Sequence, residues 1–284
     1  MGLTEDLVEV AVTAVEAWEQ FDAKARRDES IYKVAAMVRF KLERADVSRR
    51  IEESVPQAKA DNDPHPSVAN PFIEAALLKI AADYAPGGAY HRAWLERYRG
   101  LIGQTMRVGG RQIAAQVGLS FTIDDPRARA AIRRRVTNLT GHVTETTITR
   151  IRETVAQAMQ EGVGITEITR RIRDDAFSHE VTTARARTIA RTETVGALNE
   201  GQYVAATTRG VMQSKRWLSQ DDGRVRDAHV NADNDGWIGV DGVFSNGLRF
   251  PHEPGAPADQ VINCRCTLQY SDQTPAEANA RPLR

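Results

Sequence analysis

The sequence predicts a mainly α fold that closes in a small α+β module: long helices and helical hairpins first, a turn-rich, β-containing end last. Three observations predict it. Apolar side chains recur at helical spacing through most of the chain up to residue 209. Aromatic residues are only 6% while Ala and Arg are abundant, which suits helices built on small and aliphatic contacts. After Gly210 the period breaks into short apolar islands between Gly, Pro, Asn and Asp.

Leu7, Val8, Ala11, Val15 and Trp18 share one face of a helix over 4–26, with Thr4 as N-cap. Ile31, Val34, Ala35, Val38 and Leu42 form the stripe of a second helix over 29–52. Joined by "RRDES", the two read as a hairpin arm over residues 1–53. The stretch 54–70, "SVPQAKADNDPHPSVAN", is rich in proline and small polar residues, the composition of a linker. A helical docking domain follows over 71–178. Its helices carry Phe72, Ile80, Trp94, Tyr98 and Ile102, then open again at Pro126 after Asp124 and Asp125. Ile148, Ile151, Val155 and Met159 form a further stripe that "EGVG" ends, and "ITEITRRIRDDAF" is a short helix. The α+β module spans 179–272. It comprises a helix over 180–209, a strand in "VMQSKRWLSQ", the turn "DDGRVRDAH" and a last strand, "QVINCRCTLQY". Residues 273–284 read as a tail.

The charge is balanced, 38 basic against 38 acidic side chains, which argues against wholesale coating of nucleic acid. The balance is uneven along the chain, since residues 71–136 carry 11 basic against 5 acidic. No run of 18 or more apolar residues occurs, so a membrane span is not expected. Acids stand near the start where a secretory signal needs bases, and two cysteines suit a reducing compartment.

Both cysteines lie in "NCRC". On the predicted strand Cys264 and Cys266 project to one face, which suits shared ligation of an ion or shared burial. A disulfide between them would break the extended backbone. Zinc would need two further ligands, for which His229 and His252 are the candidates and Asp227 and Asp233 the reserves. In "DDGRVRDAH", Asp222, Arg224, Arg226 and His229 could form an acid–base set for cutting nucleic acid, with His229 as base. They could equally be a capped turn with its arginines paired. Arg191 and Glu193 read as members of a structural network, Glu193 lying close enough to an apolar stripe to need a cation. Arg127, Arg129, Arg133, Arg134 and Arg135 make a basic ridge on a helix, available to DNA phosphates, to an acidic partner, or simply to water. No phosphate-binding loop, dinucleotide fingerprint or zinc-protease helix motif occurs.

In order along the chain stand Arg191, Thr192 and Glu193, then Asn199, Trp217, Asp222, Arg224, Val225, Arg226 and His229. Phe244, Pro251, Pro254, Asn263, Cys264, Arg265 and Cys266 follow. This ordered set resembles the phage minor head protein family typified by the phage Mu F protein. One departure is visible: the family's H-x-x-x-D-G run reads here "HVNADNDGW", with an inserted "ND". The resemblance implies a structural, non-enzymatic minor capsid protein of phage head morphogenesis. It implies a place in the virion, inside the capsid near the portal, after assembly in the host cytoplasm. The implied partners are the portal protein and a major capsid or scaffolding protein, with double-stranded DNA as a further candidate and no membrane. No cofactor is expected, zinc being the one candidate. The alternatives are a nuclease or other phosphate-handling enzyme centred on His229, or a DNA-binding tether. Arg191, Glu193, Asn199, Trp217, Asp222, Arg224, Arg226, His229, Asn263, Cys264, Arg265 and Cys266 are expected to gather around one centre.

Overall fold

The computed structural model describes residues 3–60, 71–210, 212–220 and 222–280. The architecture is mainly α with one small antiparallel sheet near the C-terminus, the fold class expected. Helix α1 is Leu3–Ala60, α2 Pro71–Tyr84, α3 Ala89–Gln116, α4 Pro126–Gln160 and α5 Ile165–Arg171. A π turn at Ile172–Ala176 leads to α6, His179–Thr207. The strands are β1 Ser214–Leu218, β2 Ile238–Gly239 and β3 Thr267–Ser271, in spatial order β2-β1-β3. Short helices α7 (Asp227–Asn234) and α8 (Ala258–Val261) lie in the connections, and α9 (Pro275–Ala280) follows β3.

One helix, α1, stands where the sequence suggests two. The "RRDES" stretch contains neither Gly nor Pro, and its polar groups find partners with the helix unbroken, Asp28 at Thr105 and Glu29 at Arg191. Arg26 pairs with Asp22 one turn back at 2.5 Å, and the Ser30 hydroxyl donates to the Arg27 carbonyl at 3.0 Å. The helix continues past Pro56 to Ala60, which shortens the expected linker; the rest of that linker, 61–70, lies outside the described residues, as does the side-chain stripe from Leu7 to Trp18. The second predicted stripe is also displaced. Ile31, Val34, Val38 and Leu42 are exposed, and only Ala35 of that set is buried. The buried face carries Tyr32, Ala36, Phe40, Glu43, Val47 and Ile51 instead. Both stripes have helical spacing, but the one with aromatic side chains removes more apolar area from water.

The chain divides into two compact units, each drawn from separated stretches. One takes Met1–Tyr32, Gly100–Arg135 and Ala190–Arg284; the other takes Lys33–Arg99 and Val136–Ile189. In the second unit the core is aromatic. Phe40 and Trp94 lie 5.2 Å apart between ring centres, and Trp94 stacks on Tyr98 at 5.4 Å. Glu43 sits fully buried among them, accepting from Trp94 Nε1 at 2.7 Å, the Tyr84 hydroxyl at 3.1 Å and Arg39 at 3.3 Å. Burial pushes its carboxyl up to about 6.

In the first unit a core of Ile113, Met212, Trp217, Phe244, Leu248 and Phe250, among others, encloses both cysteines. Helices α3 and α6 approach so closely there that a side chain at Gly201 would collide with the Met106 carbonyl. Residues 275–280, read as tail, form α9, whose Asn279 bonds both the amide and the carbonyl of Trp237 at 3.0 and 2.9 Å.

Candidate functional site

The site is built where the segment before β3 meets α6, α7 and α8. The strand expected over "QVINCRCTLQY" begins only at Thr267; residues 258–261 are helical, and the cysteines lie in the irregular stretch between. Asn263 takes a left-handed conformation (φ 58°), which Asn tolerates better than most residues and which turns the chain out of α8. Its amide donates to the Thr192 hydroxyl at 3.1 Å. Cys264 and Cys266 then both point inward, each 3% exposed.

His229, in the first turns of α7, faces them with 1% exposure. Its Nδ1 is 3.5 Å from each sulfur. Its Nε2 lies 3.1 Å from Gln260 Oε1 on α8. An amide oxygen can only accept, so Nε2 carries the ring proton and Nδ1 presents its lone pair to the sulfurs. The Cys266 amide donates to Cys264 Sγ at 3.4 Å. A separate hydrogen bond, from the Cys266 thiol to the Cys264 sulfur, holds the Cys264 thiol well below the ordinary range and pushes Cys266 well above it. Trp217 of β1 closes the centre, its ring tilted 5.2 Å from the imidazole.

Around this trio the backbone is held by side chains rather than by a sheet ladder. Asn199 on α6 donates to the Cys266 carbonyl and accepts from the Thr267 hydroxyl, both at 2.9 Å. His252, itself left-handed (φ 62°), places Nε2 2.9 Å from the Cys264 carbonyl. Arg226 donates to the Ile262 carbonyl and Arg265 to Asp222, each at 2.6 Å. Behind them lies an ionic centre whose core, Arg135 and Glu200, is buried. Arg135 donates to Glu200 at 2.7 Å, to Glu193 at 3.5 Å and to the His252 carbonyl at 2.6 Å, while Arg134 reaches Glu200 at 2.6 Å. Burial raises the Glu193 pKa, with Arg135 working against that shift. A side chain at Gly196 would strike Arg135, so the glycine makes room for the guanidinium.

The structure thus brings together Asn199, Trp217, His229, Asn263, Cys264 and Cys266, with Arg226 and Arg265 on the adjoining backbone. Arg191 instead pairs with Glu29 at 3.0 Å, and Arg224 is exposed. Together with Arg26, Arg226, Arg265 and the trio they line a cavity of about 590 Å³. One expected metal ligand, His252, and both reserves, Asp233 and Asp227, do not join the trio. His252 is committed to a carbonyl, and Asp233 caps β1 through the Ser219 amide and hydroxyl at 2.9 and 2.5 Å. Asp227 lies in the first turn of α7 and is not part of the group either. The basic ridge is corrected as well. Arg127, Arg129, Arg133 and Arg134 are exposed, but Arg135 points into the core, where an unpaired charge could not remain.

Sequence reasoning missed Gln260, Glu200 and Gly196. Glu200 had a signal, because it stands seven residues after Glu193 and so on the same helical face. Gln260 had none.

Residues 149–269 match the family profile described as Phage Mu protein F like protein. This segment is similar to the Mu F-like family. It runs from the second half of α4 into β3 and contains the whole trio, together with Arg191, Glu193, Asn199 and Trp217. The match supports a Mu F-like phage head morphogenesis protein. Arg134 and Arg135, which anchor this segment through Glu200, lie outside the matched residues. No curated protein and no solved structure matches the chain. Among the described residues no helix is long and apolar enough to cross a membrane.

Proposed function

We propose that this chain is a minor structural protein of the phage head, carried into the virion and docked on the portal protein from the capsid interior. The observation that carries this reading is the family match over 149–269. The geometry around His229 supports a structural use of these residues over the nuclease alternative. Both ring nitrogens are engaged within the protein, and Arg226 is committed to a backbone carbonyl. An acid–base catalyst needs one nitrogen aimed at a substrate proton. The exposed Arg127, Arg129, Arg133 and Arg134 offer a surface for packaged DNA or for an acidic face of a capsid or scaffolding partner.

The test is assembly with and without the chain. Purified heads should contain it at low copy, and isolated portal protein should retain it on a column. Its absence from purified heads would contradict the head-protein reading. Retention on DNA, if that contact is used, should fall steeply between about 50 and 200 mM salt. Cleavage of DNA by the wild type, lost in a folded His229→Ala variant, would instead favour the enzyme.

A further inference from the structure

We propose that His229, Cys264 and Cys266 form a binding site for one thiophilic divalent cation of the zinc class, with a fourth coordination position open to the adjoining cavity. The inference goes beyond the head-protein reading and does not depend on it.

The distances fit. An ion held tetrahedrally at about 2.3 Å from sulfur and about 2.0–2.1 Å from an imidazole nitrogen sets those ligand atoms roughly 3.5–3.6 Å apart. Both sulfur–nitrogen separations here are 3.5 Å, and the three ligand atoms all lie within 4.8 Å of one another. The symmetry is informative in itself. A lone pair on Nδ1 can accept one S–H hydrogen bond along its axis, whereas two sulfurs equally distant from it leave room for a shared ion between them.

The surroundings fit as well. A ligating histidine characteristically donates its other ring N–H to an oxygen acceptor, which fixes the tautomer and the ring plane. Gln260 Oε1 does this for His229. The amide of Cys266 directed at Cys264 Sγ stabilises negative charge on the sulfur that a metal would bind. The backbone on either side is immobilised by Asn199 at Cys266 and by His252 at Cys264, so the sulfurs are held in place before any ion arrives.

The donor set selects the ion. Two thiolates and an imidazole suit zinc and its soft relatives, and exclude calcium and magnesium, which require oxygen ligands. The cavity wall carries five arginines, Arg26, Arg191, Arg224, Arg226 and Arg265, against two acids, Asp22 and Glu29, a net positive lining that would repel a bare cation. Two thiolates cancel the ion's charge, so the occupied centre is neutral. No fourth His, Cys, Asp or Glu among the described residues joins the group. The three ligands all line the cavity, so the remaining position is open to water or to a small anion held by the arginines.

The experiment uses the full chain, stripped with a chelator and titrated with zinc alone and then with cobalt(II) alone. One ion per chain should bind, with cobalt giving thiolate charge-transfer absorption and the visible bands of a tetrahedral site. The double variant Cys264→Ser/Cys266→Ser should lose at least tenfold in zinc affinity together with the charge-transfer band. If that variant fails to fold, Gln260→Ala keeps all three ligands and should weaken zinc binding about 10–100-fold. Three results would overturn the site: no zinc bound by the wild type, zinc bound equally well by the folded double variant, or affinity unchanged in Gln260→Ala. A cobalt spectrum without thiolate charge transfer would overturn it too.

Discussion

Each of the two units buries an ionisable centre, and the two centres are built differently. In the unit containing Lys33–Arg99, Glu43 is held by two neutral donors, Trp94 and Tyr84, with only a long contact to Arg39. Helix-borne aromatic rings surround it, and its carboxyl titrates near 6. In the other unit Arg135 uses three guanidinium nitrogens, two on carboxylates and one on the His252 carbonyl, 117 residues away in sequence. The first centre decorates a core that apolar packing already specifies. The second supplements a core: the loops between β2 and β3 bury Phe244, Leu248, Phe250 and the two cysteines, and polar pins fix the backbone between them. Breaking a buried charge network costs much more than neutralising a carboxylate that is already poised to take up a proton.

The largest effect is expected at Arg135. Arg135→Met leaves Glu193 buried without its cation and the His252 carbonyl without its donor, and should destabilise the protein by about 3–5 kcal/mol in denaturant unfolding. A loss below about 1 kcal/mol would show that the network is ornamental. Asn199→Ala comes next. It strips partners from the Cys266 carbonyl and the Thr267 hydroxyl, and should cost about 1–3 kcal/mol, read as a lowered unfolding midpoint. The smallest effect is expected at Glu43. Its folded pKa is raised, so the folded state binds more protons than the unfolded state between about pH 4.5 and 6. Its contribution is therefore fully present below that window and lost as pH rises through 6. Across the window it amounts to no more than about 2 kcal/mol. Glu43→Gln should flatten that slope and leave stability at pH 5 nearly unchanged; an unaltered slope would show that the titrating group is another.

Much of this organisation was legible in the sequence, for reasons that also mark its limits. Helical periodicity located α3, α4 and α6, and Pro126 marked a helix start, because those signals are local. Of the side chains expected around one centre, His229 meets Cys264 and Cys266, while Arg191 and Arg224 stand apart. The break at "RRDES" was not real, since polar letters alone do not end a helix without Gly or Pro. The choice between two stripes on α1 depends on what packs against them, which periodicity does not contain. The "NCRC" stretch read as strand because β-branched neighbours precede it, yet Asn263 turns the backbone there and side chains from α6 and α7 set its path. Gln260 and Gly196 act across distances of 31 and 61 residues from the groups they serve, and no spacing rule points to them.

The central claim is that side chains from α4 and α6 pin the segment 252–268, and amide hydrogen exchange on wild type and Arg135→Met tests it most directly. Amides of Cys264, Cys266 and Thr267 should lose protection in the variant, while those around Phe40 and Trp94 keep theirs. Unchanged protection at Cys264 and Cys266 in a variant that has lost its guanidinium would contradict it.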